Sequence, residues 1–117
     1  VAGGVGGVGW EALRFKQELN ISSMCTVFAE SEVTSLIAKG HSPQDIAMGL
    51  HKSVISRVVG MIKRVWAGGD SVFTGGVAHN PCMQKLLADK LERQIFVPDY
   101  PQLAGALGAA LLARAAA

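Results

Sequence analysis

The stretch from Ser71 to Val97 leaves this chain few folds to choose from. Ser71-Val72-Phe73-Thr74 is a short β-branched and aromatic run bounded by glycines, and Ile95-Phe96-Val97 is a second. Between them stand the turn Gly75-Gly76-Val77-Ala78-His79-Asn80-Pro81 and a segment whose Met83, Leu86, Leu87 and Leu91 fall on one helical face. Asn80 can cap that helix, with Pro81 at its first position, where a missing N–H costs nothing. Strand, glycine turn, helix and strand make a βαβ unit, which requires parallel strands joined by a right-handed crossover. An α/β fold follows.

Helices dominate the rest. Ser42-Pro43-Gln44-Asp45 is the clearest start signal: a capping serine, a proline at the first position and a first-turn carboxylate. The helix it opens carries Ile46, Leu50, Val54, Val58, Ile62 and Val65 as an i, i+4 row, with Lys52, Ser53, Arg57, Lys63 and Arg64 on the other side, and ends at Gly68-Gly69. Upstream, a helix is expected from about Phe28 to Lys39, with Val33, Leu36 and Ile37 on one face, Glu30 and Glu32 in its first turn and Gly40 as its left-handed stop. Trp10 to Leu19 suits a short helix closed by Asn20, Ile21 to Thr26 an extended turn, and the glycine-rich Val1 to Gly9 a flexible or frayed opening. A last helix begins near Gln102, with Gly105, Ala106, Gly108, Ala109 and Ala110 small enough for another backbone or a ligand to come close. The 117 residues read as a single domain without repeats or an internal linker.

Composition removes several functions. Hydrophobic residues make up 50 % and charged residues 17 % of the chain, which fits a buried core rather than disorder. The net charge of +2 is mild, and Lys39, Lys52, Arg57, Lys63 and Arg64 are dispersed, so no nucleic-acid surface is expected. The apolar run Leu103 to Ala117 is broken by Arg114 and falls short of the roughly 20 residues that span a bilayer; it reads as a packed helix, with no membrane partner. Cys25 and Cys82 form no CxxC pair, so neither a zinc motif nor a disulfide framework is expected, and a reducing cytoplasm is the default location.

Taken alone, most chemistry-bearing residues have plain readings. Glu30 and Glu32 at i, i+2 point to different faces; His41 and His51 lack partners at metal-ligand spacing and read as solvated or helix-surface residues; Trp10 and Trp66 read as packing at helix ends. The turn from Thr74 to Asn80 is the strongest ligand signal, since its glycines let a flat or charged molecule lie on the backbone beside free helix amides. On spacing alone, tight packing is the commoner reason for such glycines, and the signal is weak.

Order changes the balance. The segments Cys25-Thr26-Val27-Phe28-Ala29-Glu30-Ser31-Glu32-Val33, His51-Lys52-Ser53-Val54-Ile55-Ser56-Arg57-Val58, Thr74-Gly75-Gly76-Val77-Ala78-His79-Asn80 and Gly105-Ala106-Leu107-Gly108-Ala109-Ala110 occur in sequence. Together they resemble the activators of 2-hydroxyacyl-CoA dehydratases and the ATPase subunits of benzoyl-CoA reductases, from about Ile21 to the last residue.

The resemblance implies the C-terminal portion of an actin-like, ribonuclease H-like ATPase domain. It further implies a homodimer that uses ATP or ADP with Mg and a [4Fe-4S] cluster between subunits to drive electrons into an acyl-CoA dehydratase or reductase. On that resemblance Gly75, Gly76, Val77, His79, Asn80 and Gln102 face the nucleotide, Cys25 is a cluster ligand, and Cys82 is a packing residue. The family's upstream Cys-Ala-Ala-Gly-Thr-Gly segment, its Asp-x-Gly-x-Thr hairpin and its Asp-x-Gly-Gly-Gln-Asp segment do not occur in the sequence. Hydrolysis by this chain alone is therefore not expected, and two copies would bring two matched thiolates to a four-thiolate cluster. Competing readings are a non-catalytic dimerisation module of the same fold and the C-terminal half of a carbohydrate kinase of the same superfamily.

Overall fold

The structure, a computed structural model, describes residues 4–22 and 26–117. Its axis is a 23-residue helix, α3 (Pro43–Val65), and the start signal works as expected: Ser42 is the N-cap, its hydroxyl accepts from the Asp45 N–H at 3.1 Å, and Pro43 opens the first turn. Lys63 and Arg64 occupy the last turn, where cations suit the helix dipole. The buried face differs from the expected one. Ile46 is buried, but Val54 is 40 % and Val65 84 % exposed, while Met48, His51, Ile55 and Val59 turn inward. At 100° per residue, each i, i+4 step rotates about 40° off the previous one, so a row of six winds around the helix. A stripe spaced i+3, i+4 and i+7 stays on one face, and Met48, Ile55 and Val59 have that spacing.

Ahead of α3, α1 (Val5–Ala12) winds through the glycine-rich opening that reads as a loop in the sequence. Its glycines serve close approach. A Cβ added to Gly9 would lie 2.3 Å from Asn80 Oδ1 and 2.7 Å from Pro81 Cδ, so α1 rests almost backbone-on-helix against the start of the next helix. Trp10 accordingly points away, 63 % exposed, while Ala12 is fully buried. The helix does not run on to Leu19. The bonds Arg14 N–H to Glu11 O and Phe15 N–H to Ala12 O tighten its last turn, and the next two amides, of Lys16 and Gln17, donate to Asp45 Oδ1 at 2.8 and 2.9 Å. Asp45 thus ties the segment after α1 to the first turn of α3.

After the undescribed residues 23–25, α2 (Thr26–Ala38) begins two residues earlier than expected, which places Glu30 and Glu32 beyond its first turn. Gly40 ends the helix at φ 84°, as expected of a left-handed stop, with its N–H donating to Ile37 O at 2.9 Å.

The βαβ unit is present. Strand β1 (Ser71–Val72) pairs in parallel with β2 (Ile95–Phe96), Ser71 opposite Ile95 and Val72 opposite Phe96, and the intervening helix α4 (Pro81–Leu91) carries Asn80 as its N-cap. The core lies between α1, α3 and α4 and consists of Ala12, Met48, Ile55, Val59, Cys82, Met83, Leu86 and Leu87. At the far end, α5 (Ala104–Ala116) buries none of its residues, contrary to a packed final helix. The accessible surface of 8033 Å² exceeds the roughly 6,000 Å² of a compact monomer of this mass. No helix among the described residues is long and apolar enough to cross a membrane.

Two expectations test this packing. Gly9→Ala should lower stability by about 1–3 kcal/mol through overpacking, whereas Gly105→Ala in α5, where nothing lies within 4 Å of the new methyl, should gain roughly 0.5–1 kcal/mol. Paired denaturant titrations measure both. The two backbone donors, Gln17 first and then Lys16, hold the Asp45 carboxyl below its usual value. Its contribution is therefore complete at neutral pH, declines as pH drops below about 3.9 and vanishes below the native value. Asp45→Asn should flatten that part of the acid limb in a pH series of unfolding midpoints.

Candidate functional site

The end of β1 delivers the chain to the glycine turn. The Phe73 N–H donates to Phe96 O at 2.8 Å, and two residues later the Gly75 N–H donates to Pro101 O at 2.8 Å. Gly75 adopts φ 90°, a left-handed conformation in which a side chain would be strained. From Gly76 to His79 the backbone forms one 3-10 turn, closed by Ala78 N–H to Gly75 O at 3.1 Å and Asn80 N–H to Val77 O at 2.9 Å. Neither Gly75 nor Gly76 has any atom within 4 Å of where a Cβ would stand, so the corner is open.

His79 and Gln102, 23 positions apart in sequence, meet at this corner with Nε2 and Oε1 2.7 Å apart. An amide oxygen only accepts, so the His79 Nε2–H donates. Both side chains are exposed, as are Val77 and Tyr100. The 3-10 turn Pro101–Leu103 sets Gln102 in place, and its Pro101 carbonyl is the acceptor for Gly75, so the two segments form a single wall.

Asn80 is oriented differently from its neighbours in the turn. Only 5 % exposed, it accepts from the Met83 N–H through Oδ1 at 3.0 Å and places Nδ2 2.8 Å from His51 Nε2. Its side chain is committed to the fold, and so is its backbone, whose N–H donates to Val77 O at 2.9 Å and whose carbonyl accepts from the Gln84 N–H at 3.1 Å; the turn before it faces outward. His51 is itself a correction: instead of a solvated surface residue, it is 8 % exposed, with Nδ1 2.7 Å from Ala47 O. The signal that could have found it is its place on the inward stripe, three residues after Met48 and four before Ile55.

The cysteines divide. Cys25 lies outside the described residues. Cys82 is fully buried, its Sγ 3.9 Å from Met48 Sδ, and burial pushes its thiol up to about 11, which suits a packing residue. Among the described residues no group of three or more His, Cys, Asp and Glu could hold a metal ion. Trp66 sits at the end of α3 under the Arg93 guanidinium, 4.0 Å from the ring, while Trp10 is largely exposed on α1.

Residues 5–113 match the profile of the BadF/BadG/BcrA/BcrD ATPase family. The chain is 45 % identical over 102 residues to the 2-hydroxyisocaproyl-CoA dehydratase activator of Clostridioides difficile, covering 87 % of this chain and 38 % of that protein. It is 50 % identical over 93 residues to the (R)-2-hydroxyglutaryl-CoA dehydratase activating ATPase of Acidaminococcus fermentans, covering 80 % of this chain and 36 % of that one. The solved activator of the 2-hydroxyisocaproyl-CoA dehydratase from Clostridium difficile, with bound ADPNP, superimposes with a TM-score of 0.83 at 44 % identity, over 90 % of this chain and 39 % of that structure. The chain thus spans well under half the length of these relatives.

The buried thiol gives a direct expectation. At pH 8 a thiol near 11 is ionised to about one part in a thousand, against roughly a quarter at the ordinary value. Iodoacetamide should therefore modify Cys82 in the native protein only at the rate of unfolding, as read by mass spectrometry of the Cys82 peptide. Labelling as fast as that of a free thiol would contradict the burial.

Proposed function

Because the chain belongs to the BadF/BadG/BcrA/BcrD ATPase family, we propose that it forms the adenosine-facing wall of the nucleotide cleft of an ATPase that activates an acyl-CoA dehydratase or reductase. The observation that carries this reading is the open corner of Gly75 and Gly76 beside the His79–Gln102 pair. Bare glycine backbone lets a purine or ribose come to van der Waals contact, and the paired side chains offer donors and acceptors to its polar edge. The start of α4, which follows directly, adds the positive end of a helix dipole. Val77 contributes as backbone and shape, and Asn80, whose side chain and backbone are both engaged, contributes by holding the turn in place.

Hydrolysis needs carboxylates to hold Mg and orient water, together with loops around the phosphates. No Asp-x-Gly-x-Thr or Asp-x-Gly-Gly-Gln-Asp segment occurs in this sequence, so the role proposed for these residues is nucleotide binding and orientation. We assign Cys25 as the cluster ligand of this chain in a homodimer. Support comes from its place in the sequence immediately before Thr26, where α2 begins and the positive end of the helix favours thiolate, and from the packing of Cys82 within the core. A bound [4Fe-4S] cluster would supply one-electron transfer to the partner enzyme. A non-catalytic interaction module is the second reading, favoured by the uncovered α5.

Calorimetric titration with ADP separates the two. The wild-type chain should bind, and Gly76→Val, whose methyls enter open space, should weaken binding about tenfold or more while moving stability by no more than roughly 0.5 kcal/mol. Absence of binding, or equal binding by both proteins, would favour the interaction module.

A further inference from the structure

Resting on that nucleotide-wall reading, we propose that His51 is a positioning residue: from the middle of α3 it fixes the Asn80 amide and so the geometry of the turn that faces the ligand. Each hydrogen-bonding role in the chain is determined. The Ala47 carbonyl can only accept, so the His51 Nδ1 at 2.7 Å carries the proton. The bare Nε2 then accepts from Asn80 Nδ2–H at 2.8 Å. The Met83 N–H donates to Asn80 Oδ1 at 3.0 Å, which forbids the flipped amide. No group in this relay can be reversed without breaking another.

Asn80 has nowhere else to go. Gly9 of α1 comes so close that even a methyl there would lie 2.3 Å from Asn80 Oδ1, so α1 closes one side while His51 holds another. The Asn80 N–H donates back to Val77 O at 2.9 Å and ends the 3-10 turn that carries His79. Removing the acceptor at His51 strands a buried amide donor, and relief by rotation of Asn80 would release the Met83 amide and the turn with it. The ligand-facing backbone would then sample several conformations, and a ligand would bind only the competent fraction.

Nitrogen-edited spectra of the wild-type imidazole and a pair of substitutions test this. The expected signature is an Nδ1–H tautomer with unprotonated Nε2; an Nε2–H tautomer overturns the proposal. His51→Gln places an acceptor near the position of Nε2, whereas His51→Asn reaches only the position of Nδ1. His51→Gln should keep ADP affinity within about twofold of wild type, and His51→Asn should lose roughly tenfold, with faster amide exchange from Val77 to Met83. Equal affinity and equal exchange in the two variants would refute the role. Should the wild-type chain fail to bind ADP, the nucleotide reading falls alone, and exchange rates and tautomer still decide the function of His51. Should His51→Asn fail to fold, the wild-type tautomer and the His51→Gln exchange pattern remain decisive.

Discussion

Asn80 is the point at which this structure is joined. Its carboxamide caps α4, donates to a histidine on α3 and lies under a glycine of α1, while its backbone ends the turn that opens to solvent. Three helices therefore agree on the position of one small side chain, and the open corner inherits that agreement. A buried polar relay of this kind is costly unless every member is paired, and here every member is. Although it stands in the turn that faces the ligand, its side chain points into the fold and holds the turn still.

The rigid joint contrasts with what surrounds it. A two-stranded parallel sheet is normally covered on both faces and extended at its edges, yet Val72 and Phe96 are exposed and α5 buries nothing. Leu103, Leu107, Leu111 and Leu112 are likewise in solvent. The fold is regular in its core and open at its flanks. Nucleotide binding at the open corner and contact at the uncovered faces are compatible roles for one such unit.

Much of the fold was legible in the residues. Ser42-Pro43 and Asn80-Pro81 both start helices, Gly40 stops one, and β1 and β2 run in parallel, because caps, stops and βαβ geometry are set by local sterics. What was hidden depended on neighbours distant in sequence. The opening glycines resemble a loop until α4 is set against them, and the length of α1 is limited by a carboxylate on α3. The i, i+4 row drifts around α3 and does not mark its inward face, and the lack of a partner at metal-ligand spacing says nothing of the burial of His51 on that face. At the candidate site, the glycines of the turn could be read directly. The meeting of His79 with Gln102 rests instead on the folding of residues 101–103 against Gly75.

The central claim is that the corner built by Asn80 is where an adenine nucleotide lies. Amide chemical-shift mapping of the labelled protein during addition of ADP reads this directly. The account predicts the largest shifts at Gly75, Gly76, Val77, His79 and Gln102, with Met83 at the start of α4 following. Shifts centred on the groove that Glu18, Lys52 and Lys90 line, or none beyond those of a phosphate control, would contradict it.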